Sequence, residues 1–221
     1  MVRKVVRWPL AAAVGFLALV GIGASVTYFF REPANTGFLD YPTIVAAHVV
    51  LGALYLVFAP FQFVRSIRSR HLGYHRRMGR VLVALGMVVG ATALFIGLVV
   101  PFFGWAEAAL IAIFGSLFLI ALAKGFVHVR AGRVALHREW MIRAFAIALA
   151  IATQRVIFVP SLLMVGDLTH GQIVMLSVSA WAAALVVHSS LAEVWIRLTR
   201  KRRVTSVRGT ITRHDPTPGS S

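Results

Sequence analysis

The sequence predicts an all-α fold, an integral membrane bundle of six transmembrane helices with both termini in the cytoplasm. Three observations lead to this prediction. The 221-residue chain is 59% hydrophobic and only 14% charged, whereas soluble domains are about 45–50% apolar and about 25% charged. Six segments are apolar over about 20 residues, the length that a helix needs to cross a bilayer. The basic residues are concentrated in alternate loops between these segments.

The six predicted spans follow a short basic N-terminus and are joined by short loops. The apolar run after Met1-Val2-Arg3-Lys4, from Trp8 to Phe30, has 23 uncharged residues, which exceeds a typical signal-peptide core, so we expect a retained first helix. Residues 1–8 form the predicted cytoplasmic N-terminus, residues 9–198 the transmembrane domain, and residues 199–221 a basic, disordered cytoplasmic tail. The spans are predicted at residues 9–30, 43–64, 78–100, 106–128, 141–165 and 172–195.

The distribution of basic residues predicts the orientation of the chain. Of the 23 lysines and arginines, 21 lie in the N-terminus, the second and fourth loops and the tail, which all fall on one side. The positive-inside rule places that side in the cytoplasm. The net charge of +16 therefore indicates topology and lipid contact, with no nucleic-acid partner. We expect anionic lipid at the cytoplasmic face, next to the basic run 200–203. The charge pattern does not decide whether the chain self-associates or binds partner membrane proteins.

Arg155 is the most informative single residue. It lies next to Gln154, near the middle of the otherwise uncharged stretch 144–166. A charge at such a position costs roughly 2.5–3.5 kcal/mol on insertion scales, and it usually faces the bundle interior, a wet cavity or a bound anion. All seven acidic residues lie in loops, tails or helix ends, so none is expected deep in a span to neutralise it. Arg155 therefore marks a candidate functional site.

A polar stripe in the second predicted span is the proposed counterpart of Arg155. His48, Tyr55 and Gln62 recur at helical spacing, with Gly52 and Ala59 between them, so they share one face of a helix. One interpretation is hydrogen bonding to neighbouring helices. The other is that the stripe lines a cofactor or proton path. Because Arg155 falls at a depth between His48 and Tyr55, we expect the second and fifth spans to bring these side chains together.

Histidines and glycines add further candidates in the third to sixth spans. The third span has a glycine face, which allows close helix packing or makes room for a flat ligand. His75 lies on that face, and His128 and His188 are expected in the same cytoplasmic half of the bundle, whereas His48 stands alone in the outer half. Each histidine is either a hydrogen-bonded helix contact or a ligand of haem iron.

Two short strings carry a resemblance to a known family. HRRMGR begins at His75 and HREWMIR begins at His137, each at the start of a predicted span. Together with His48, Gln62 and the pair Gln154-Arg155, they resemble a family of predicted bacterial membrane proteins of unknown function, over roughly residues 43 to 190. The resemblance implies a multi-helix bundle in the bacterial inner (plasma) membrane, and it brings no established activity.

A fainter similarity links the chain to transmembrane b-type cytochromes. Those proteins are compact helical bundles with glycine-rich faces and generally hold two haems between histidine pairs. The outer half of this chain offers only His48, so two haems are not expected. The resemblance leaves room for one b-type haem held by two of His75, His128 and His188. Alternatively, His48 is a single axial ligand with Arg155 near a propionate.

The function classes that stay open are cofactor binding and non-enzymatic roles. Hydrolytic and phosphate-binding motifs are absent, and the carboxylates lie only in loops, tails or helix ends, so the sequence disfavours an enzyme. With no cysteine, thiolate metal sites are excluded. A haem or a quinone bound for electron transfer fits the stripe that faces Arg155. The alternative is a transporter, a lipid-binding protein or a structural membrane protein.

Overall fold

A computed structural model describes residues 12–24 and 36–211 of the chain, with side chains as far as residue 200. These residues form helices joined by short turns, and no β-strand occurs among them. The α-helices are α1 (Ala12–Ala24), α2 (Pro42–Phe58), α3 (Arg65–Arg70), α4 (Leu72–Val99), α5 (Trp105–Arg130), α6 (Val134–Val165) and α7 (His170–Ile211). Two 3-10 helices, Thr36–Asp40 and Ala59–Phe63, flank α2. The predicted all-α class is confirmed.

Five helices in the described part of the chain are long and apolar enough to cross a membrane. They correspond to the second to sixth predicted spans. Only residues 12–24 of the first predicted span are described, and they form the shorter apolar helix α1. The remainder of that span, and the predicted N-terminus 1–8, lie outside the described residues, so the first span, and with it the total of six, and the orientation stay predictions. The five long segments are Pro42–Phe63, Leu72–Val99, Trp105–Arg130, Val134–Val165 and His170–Arg200.

The long helices extend beyond the apolar stretches that predicted them. The spans predicted from residues 78 and 141 begin at Leu72 and Val134, so both His-Arg strings are helical. Helix α7 continues to Ile211, past residue 199, where the sequence placed the start of a disordered tail. Arginine and lysine have high helix propensity, so a hydropathy boundary does not end a helix. At Pro60, which has no N–H to donate, α2 gives way to a 3-10 helix.

The membrane-length helices pack in chain order. Helix α2 packs on α4, α4 on α5, α5 on α6 and α6 on α7, and α7 also contacts α5. Helices α2 and α5 end at the same end of the bundle, where α4 and α6 begin. Helix α7 runs toward this end. We call it the basic end, because Arg65, Arg68, Arg130 and Arg133 lie there. The opposite end carries the turns before α5 and α7.

Glycines on α4 allow α5 to approach closely. A Cβ atom at Gly86 would lie 2.8 Å from a methyl of Leu122, and one at Gly90 would lie 2.5 Å from a methyl of Leu119. Both distances are shorter than a van der Waals contact, so the α4–α5 interface has no room for larger residues. The glycine face of the third predicted span therefore serves helix packing, as small residues do in membrane bundles.

The apolar core lies between α2, α4, α5 and α6. Tyr55, Leu82, Leu122 and Phe145 are among its buried members, and each comes from a different helix. A smaller cluster made of Ala150, Ala184 and Leu185 joins α6 to α7. The polar side chains of the bundle are arranged above and below the main core, and this arrangement positions the candidate site.

Candidate functional site

Five polar side chains lie at one level near the middle of the bundle. This central layer consists of His48, Thr92, Thr153, Arg155 and His188. Packing contacts define the level: α4 meets α5 where Leu94 lies against Gly115, and Phe114 of α5 packs on the cluster around Ala150 of α6. Thr92 lies half a turn from Leu94, and Thr153 lies nearly one turn after Ala150. Helices that are distant in sequence therefore contribute to one layer.

His48 is held by hydrogen bonds to α4. Its Nδ1 atom lies 3.2 Å from the carbonyl oxygen of Val89 and 3.1 Å from Oγ1 of Thr92. The Thr92 hydroxyl donates its own proton to a backbone carbonyl, 2.8 Å away at Val88. The carbonyl of Val89 accepts only, so the hydrogen atom between it and His48 belongs to Nδ1. This arrangement leaves the Nε2 atom of His48 with a free lone pair in the neutral ring.

Arg155 has few partners for its five N–H donors. Its Nη1 atom donates to the carbonyl oxygen of Ile151 at 3.3 Å, which is its one hydrogen bond to a described residue. Neither of the two ion pairs in the described part of the chain includes it. The side chain is half-buried and lies close enough to His48 for the two to interact electrostatically. Arg155 is therefore a cation within a membrane-length helix that makes one hydrogen bond to the described residues and has a Coulombic interaction with His48.

Helices α2 and α6 do not pack extensively on each other, so the expected meeting of Arg155 with the polar stripe of α2 stays a prediction. A Coulombic interaction with His48 supports it, and the position of Tyr55 does not. Tyr55 is only 4% exposed and packs edge-to-face on Phe118, with 5.9 Å between ring centroids. Its core neighbours on α6 include Leu149, nearly two turns before Arg155. Gln154 is also buried, beside Arg155 on α6. Tyr55 therefore belongs to the apolar core, while His48 belongs to the central layer.

His188 lies in the central layer and not at the cytoplasmic level that the sequence suggested. Its Nε2 atom is 2.7 Å from Oγ1 of Thr153, so it links α7 to α6. His75 lies within electrostatic range of His137, sixteen residues before Thr153 on α6. Sixteen residues correspond to about 24 Å of helix. One haem held jointly by His188 and His75 does not fit this geometry, because both ligands must contact one iron.

Aromatic side chains close the central layer from the end opposite the basic end. The ring of Phe103, in the turn before α5, packs on Phe158, one turn past Arg155, with 5.7 Å between centroids. The turn itself is held by Glu107, whose carboxylate accepts a hydrogen bond from the Phe103 backbone at 2.7 Å. This contact places aromatic side chains next to the layer on the side away from the basic end.

A second group of polar side chains lies at the basic end. This basic-end layer consists of Gln62, His75, His128 and His137. Within the described part of the protein, the amide of Gln62 and the Nδ1 atoms of His75 and His128 are buried without hydrogen-bond partners. His137 donates from Nδ1 to the carbonyl oxygen of Gly125 at 2.8 Å. Sequence reasoning left His137 out of the candidate site, although the repeated His-Arg string offered a signal.

The side chains of the basic-end layer are poorly suited to bind a metal ion. No group of three or more histidine, cysteine or carboxylate side chains among the described residues is arranged to hold a metal ion. His75 and His128 are the remaining pair at one level of the bundle, and each keeps an unpartnered nitrogen. The layer therefore offers hydrogen-bond donors and acceptors more than a coordination cage.

The comparisons with known proteins give a family and no activity. A family described as predicted membrane protein, DUF2306, matches residues 45–196 of the chain. That range contains both polar layers and runs from the first turn of α2 to nearly two thirds of the way along α7. No curated protein and no solved structure matches the chain significantly.

Proposed function

The chain belongs to the DUF2306 family of predicted membrane proteins, and from this premise we propose that its bundle binds a redox cofactor in the central layer and takes part in electron transfer. The cofactor is a b-type haem or a quinone. The non-enzymatic alternatives are a transporter, a lipid-binding protein or a structural partner. The proposal rests on the pairing of Arg155 with His48.

The observation that carries the proposal is the unsatisfied chemistry of Arg155. A guanidinium inside an apolar bundle is stable only when its donors and its charge find partners. Among the described residues it has one hydrogen bond of 3.3 Å and no carboxylate. A ligand with oxygen acceptors would supply the missing partners. Haem propionates and quinone carbonyls both provide such oxygens.

The haem version gives His48 the role of axial ligand. A metal-binding histidine usually donates its other ring N–H to a carbonyl or carboxylate, which fixes the ring and its tautomer. The bond from Nδ1 of His48 to the carbonyl of Val89 is of this kind and leaves Nε2 for the iron. Arg155 would hold a propionate. Bound haem supplies one-electron transfer, tuned by its ligand and by burial.

The quinone version uses the same two side chains in a different way. Arg155 would donate hydrogen bonds to a quinone carbonyl, and the free Nε2 of His48 would accept the proton of a quinol hydroxyl. No second imidazole is needed at this level. His188 then stays a helix contact through Thr153, as its hydrogen bond already suggests.

Absorption spectroscopy and solvent extraction of the purified full-length protein test the proposal and separate the two cofactors. Haem gives a Soret band that shifts on reduction with dithionite, whereas a quinone is extracted and identified by its mass. We expect one of them in the wild type and its loss in His48→Ala and Arg155→Leu. Ser161→Ala, an exposed change on the same helix, is the matched control. Purification of the protein without either molecule from haem- and quinone-replete membranes contradicts the proposal.

A further inference from the structure

The basic-end layer brings together buried polar atoms that lack partners. The amide oxygen of Gln62 lies 3.5 Å from the point where a Cβ atom of Gly79 would be. Gly79 is one turn after His75 on the same face of α4, so the Gln62 amide and the His75 ring are neighbours on that face. Gln62 contributes a donor and an acceptor here, and both are buried without a partner among the described residues.

Helices α5 and α6 complete the layer from the other side. His75 interacts electrostatically with His137, whose ring is fixed to the carbonyl of Gly125. His128 lies one turn after Gly125 on α5, and its buried Nδ1 atom also lacks a partner within the described part of the chain. Four helical segments therefore bring polar side chains to the same end of the bundle. Unpartnered buried groups of this kind are rare in native proteins, and an unseen ligand is a common explanation.

The charges around this locus are all positive. Arg68 and Arg76 both act electrostatically on His75, from α3 and from α4. The described acidic residues do not offset them. Glu139 is bound to Arg200, and Glu193 is bound to Arg143. The other described acidic residues, Asp40, Glu107 and Asp167, lie at the opposite end of the bundle.

We propose that the basic-end layer is a binding site for a phosphate group, with Gln62, His75 and His128 donating to its oxygens and Arg68 and Arg76 providing the positive rim. Phosphate oxygens accept several hydrogen bonds and match arginine donors well. The site is distinct from the central layer, since Gln62 and His48 are fourteen residues, or about 21 Å of helix, apart. It does not depend on the proposed redox function.

A phospholipid is the favoured source of the phosphate. Gln62 is the penultimate residue of the membrane-length segment Pro42–Phe63, and the ends of such segments lie at the level of lipid headgroups. Inorganic phosphate from the aqueous phase would use the same donors. The chemistry is shared, so the experiment must separate the two sources.

Thermal unfolding of the delipidated full-length protein in a maltoside detergent separates them. Phosphatidylglycerol in mixed micelles, or inorganic phosphate with sodium chloride as the ionic-strength control, is added in separate arms. Either ligand should raise the wild-type midpoint by roughly 3 °C or more at saturation, because it binds only the folded state. A rise with phosphatidylglycerol alone identifies a lipid site, and a rise with inorganic phosphate alone identifies a free-phosphate site.

Matched variants test whether the rise comes from this layer. Gln62→Leu removes two buried unpartnered atoms, so it should leave the ligand-free midpoint unchanged or higher while abolishing the ligand response. Arg76→Gln should reduce the response, because Arg76 acts electrostatically on His75. Arg77→Gln, an equally exposed change at the next position, should not. Native mass spectrometry of wild type and His75→Gln gives a second readout, the number of retained phospholipids. Absence of a rise in the wild type, or an equal rise in Gln62→Leu, overturns the proposal.

Discussion

The Nδ1 atom of His48 donates a hydrogen bond to the carbonyl oxygen of Val89, 3.2 Å away on the neighbouring long helix. The bond orients the ring and leaves its Nε2 atom unprotonated. Arg155 stands within electrostatic range of the same ring. The central layer therefore holds an acceptor nitrogen and a cation that makes one hydrogen bond to the described residues.

Thr92→Val should weaken cofactor binding. The hydroxyl of Thr92 lies 3.1 Å from Nδ1 of His48 and helps to hold the ring. Valine keeps the shape and removes the hydrogen bond, and loss of such an outer-shell partner typically lowers metal affinity about 10-fold or more. Titration of the cofactor-depleted protein measures the dissociation constant. Ser161→Ala should bind as the wild type does, and equal affinity of Thr92→Val and wild type would exclude this role for Thr92.

Arg155→Leu should preserve the fold. In the absence of cofactor, the substitution removes a charge from an apolar layer and loses one hydrogen bond of 3.3 Å to a described residue. We therefore expect the unfolding midpoint of the cofactor-free variant to match or exceed that of the wild type. If Arg155 instead held several protein groups by hydrogen bonds, its replacement would leave those groups unpaired and lower the unfolding midpoint. A large fall in the midpoint would assign Arg155 to structure.

Gly97→Ala should destabilise the α4–α5 interface. A Cβ atom at position 97 would lie 2.5 Å from Cγ2 and 3.0 Å from Cβ of Ile111. The β-branched side chain has few alternative rotamers, so the helices must separate, at a cost of about 1–3 kcal/mol. Unfolding in a mixed-detergent titration measures the loss. Gly73→Ala on the same helix meets open space, and an equal effect of both changes would refute close packing as the cause.

Thr153 and His188 should be energetically coupled. Their side chains are 2.7 Å apart and join α6 to α7. A double-mutant cycle with Thr153→Val and His188→Leu should give a coupling free energy of about 0.5–1.5 kcal/mol, the usual range for a side-chain hydrogen bond. Independent effects of the two substitutions would mean that the hydrogen bond contributes nothing to stability, and would reopen a ligand role for His188.

Hydropathy predicted the helical class and the second to sixth spans, because membrane insertion selects apolar stretches of a fixed length. It did not predict that α4 begins at Leu72 or that α7 reaches Ile211. Those ends are charged, and helix propensity continues where hydropathy stops. The approach of Arg155 to His48 was expected from estimated depths along two spans. The separation of His188 from His75 could not be predicted in this way. The tilt and packing of the helices decide which residues lie at the same depth.

The partners of His48 and the basic-end layer could not be read from the chain. Thr92 is one of many hydroxyl residues in apolar helices, and only its contact with Nδ1 gives it a role. Gln62 was placed in one stripe with His48 by periodicity, yet the apolar core around Tyr55 separates the two. Periodicity reports a shared helix face and says nothing about which side chains on that face find partners.

An experimental structure of the full-length protein, purified in mild detergent from cofactor-replete membranes, tests the central claim most directly. The account predicts non-protein density in the central layer that contacts both Nε2 of His48 and the guanidinium of Arg155. A central layer with no such density, in which protein groups alone satisfy the Arg155 donors, would contradict it.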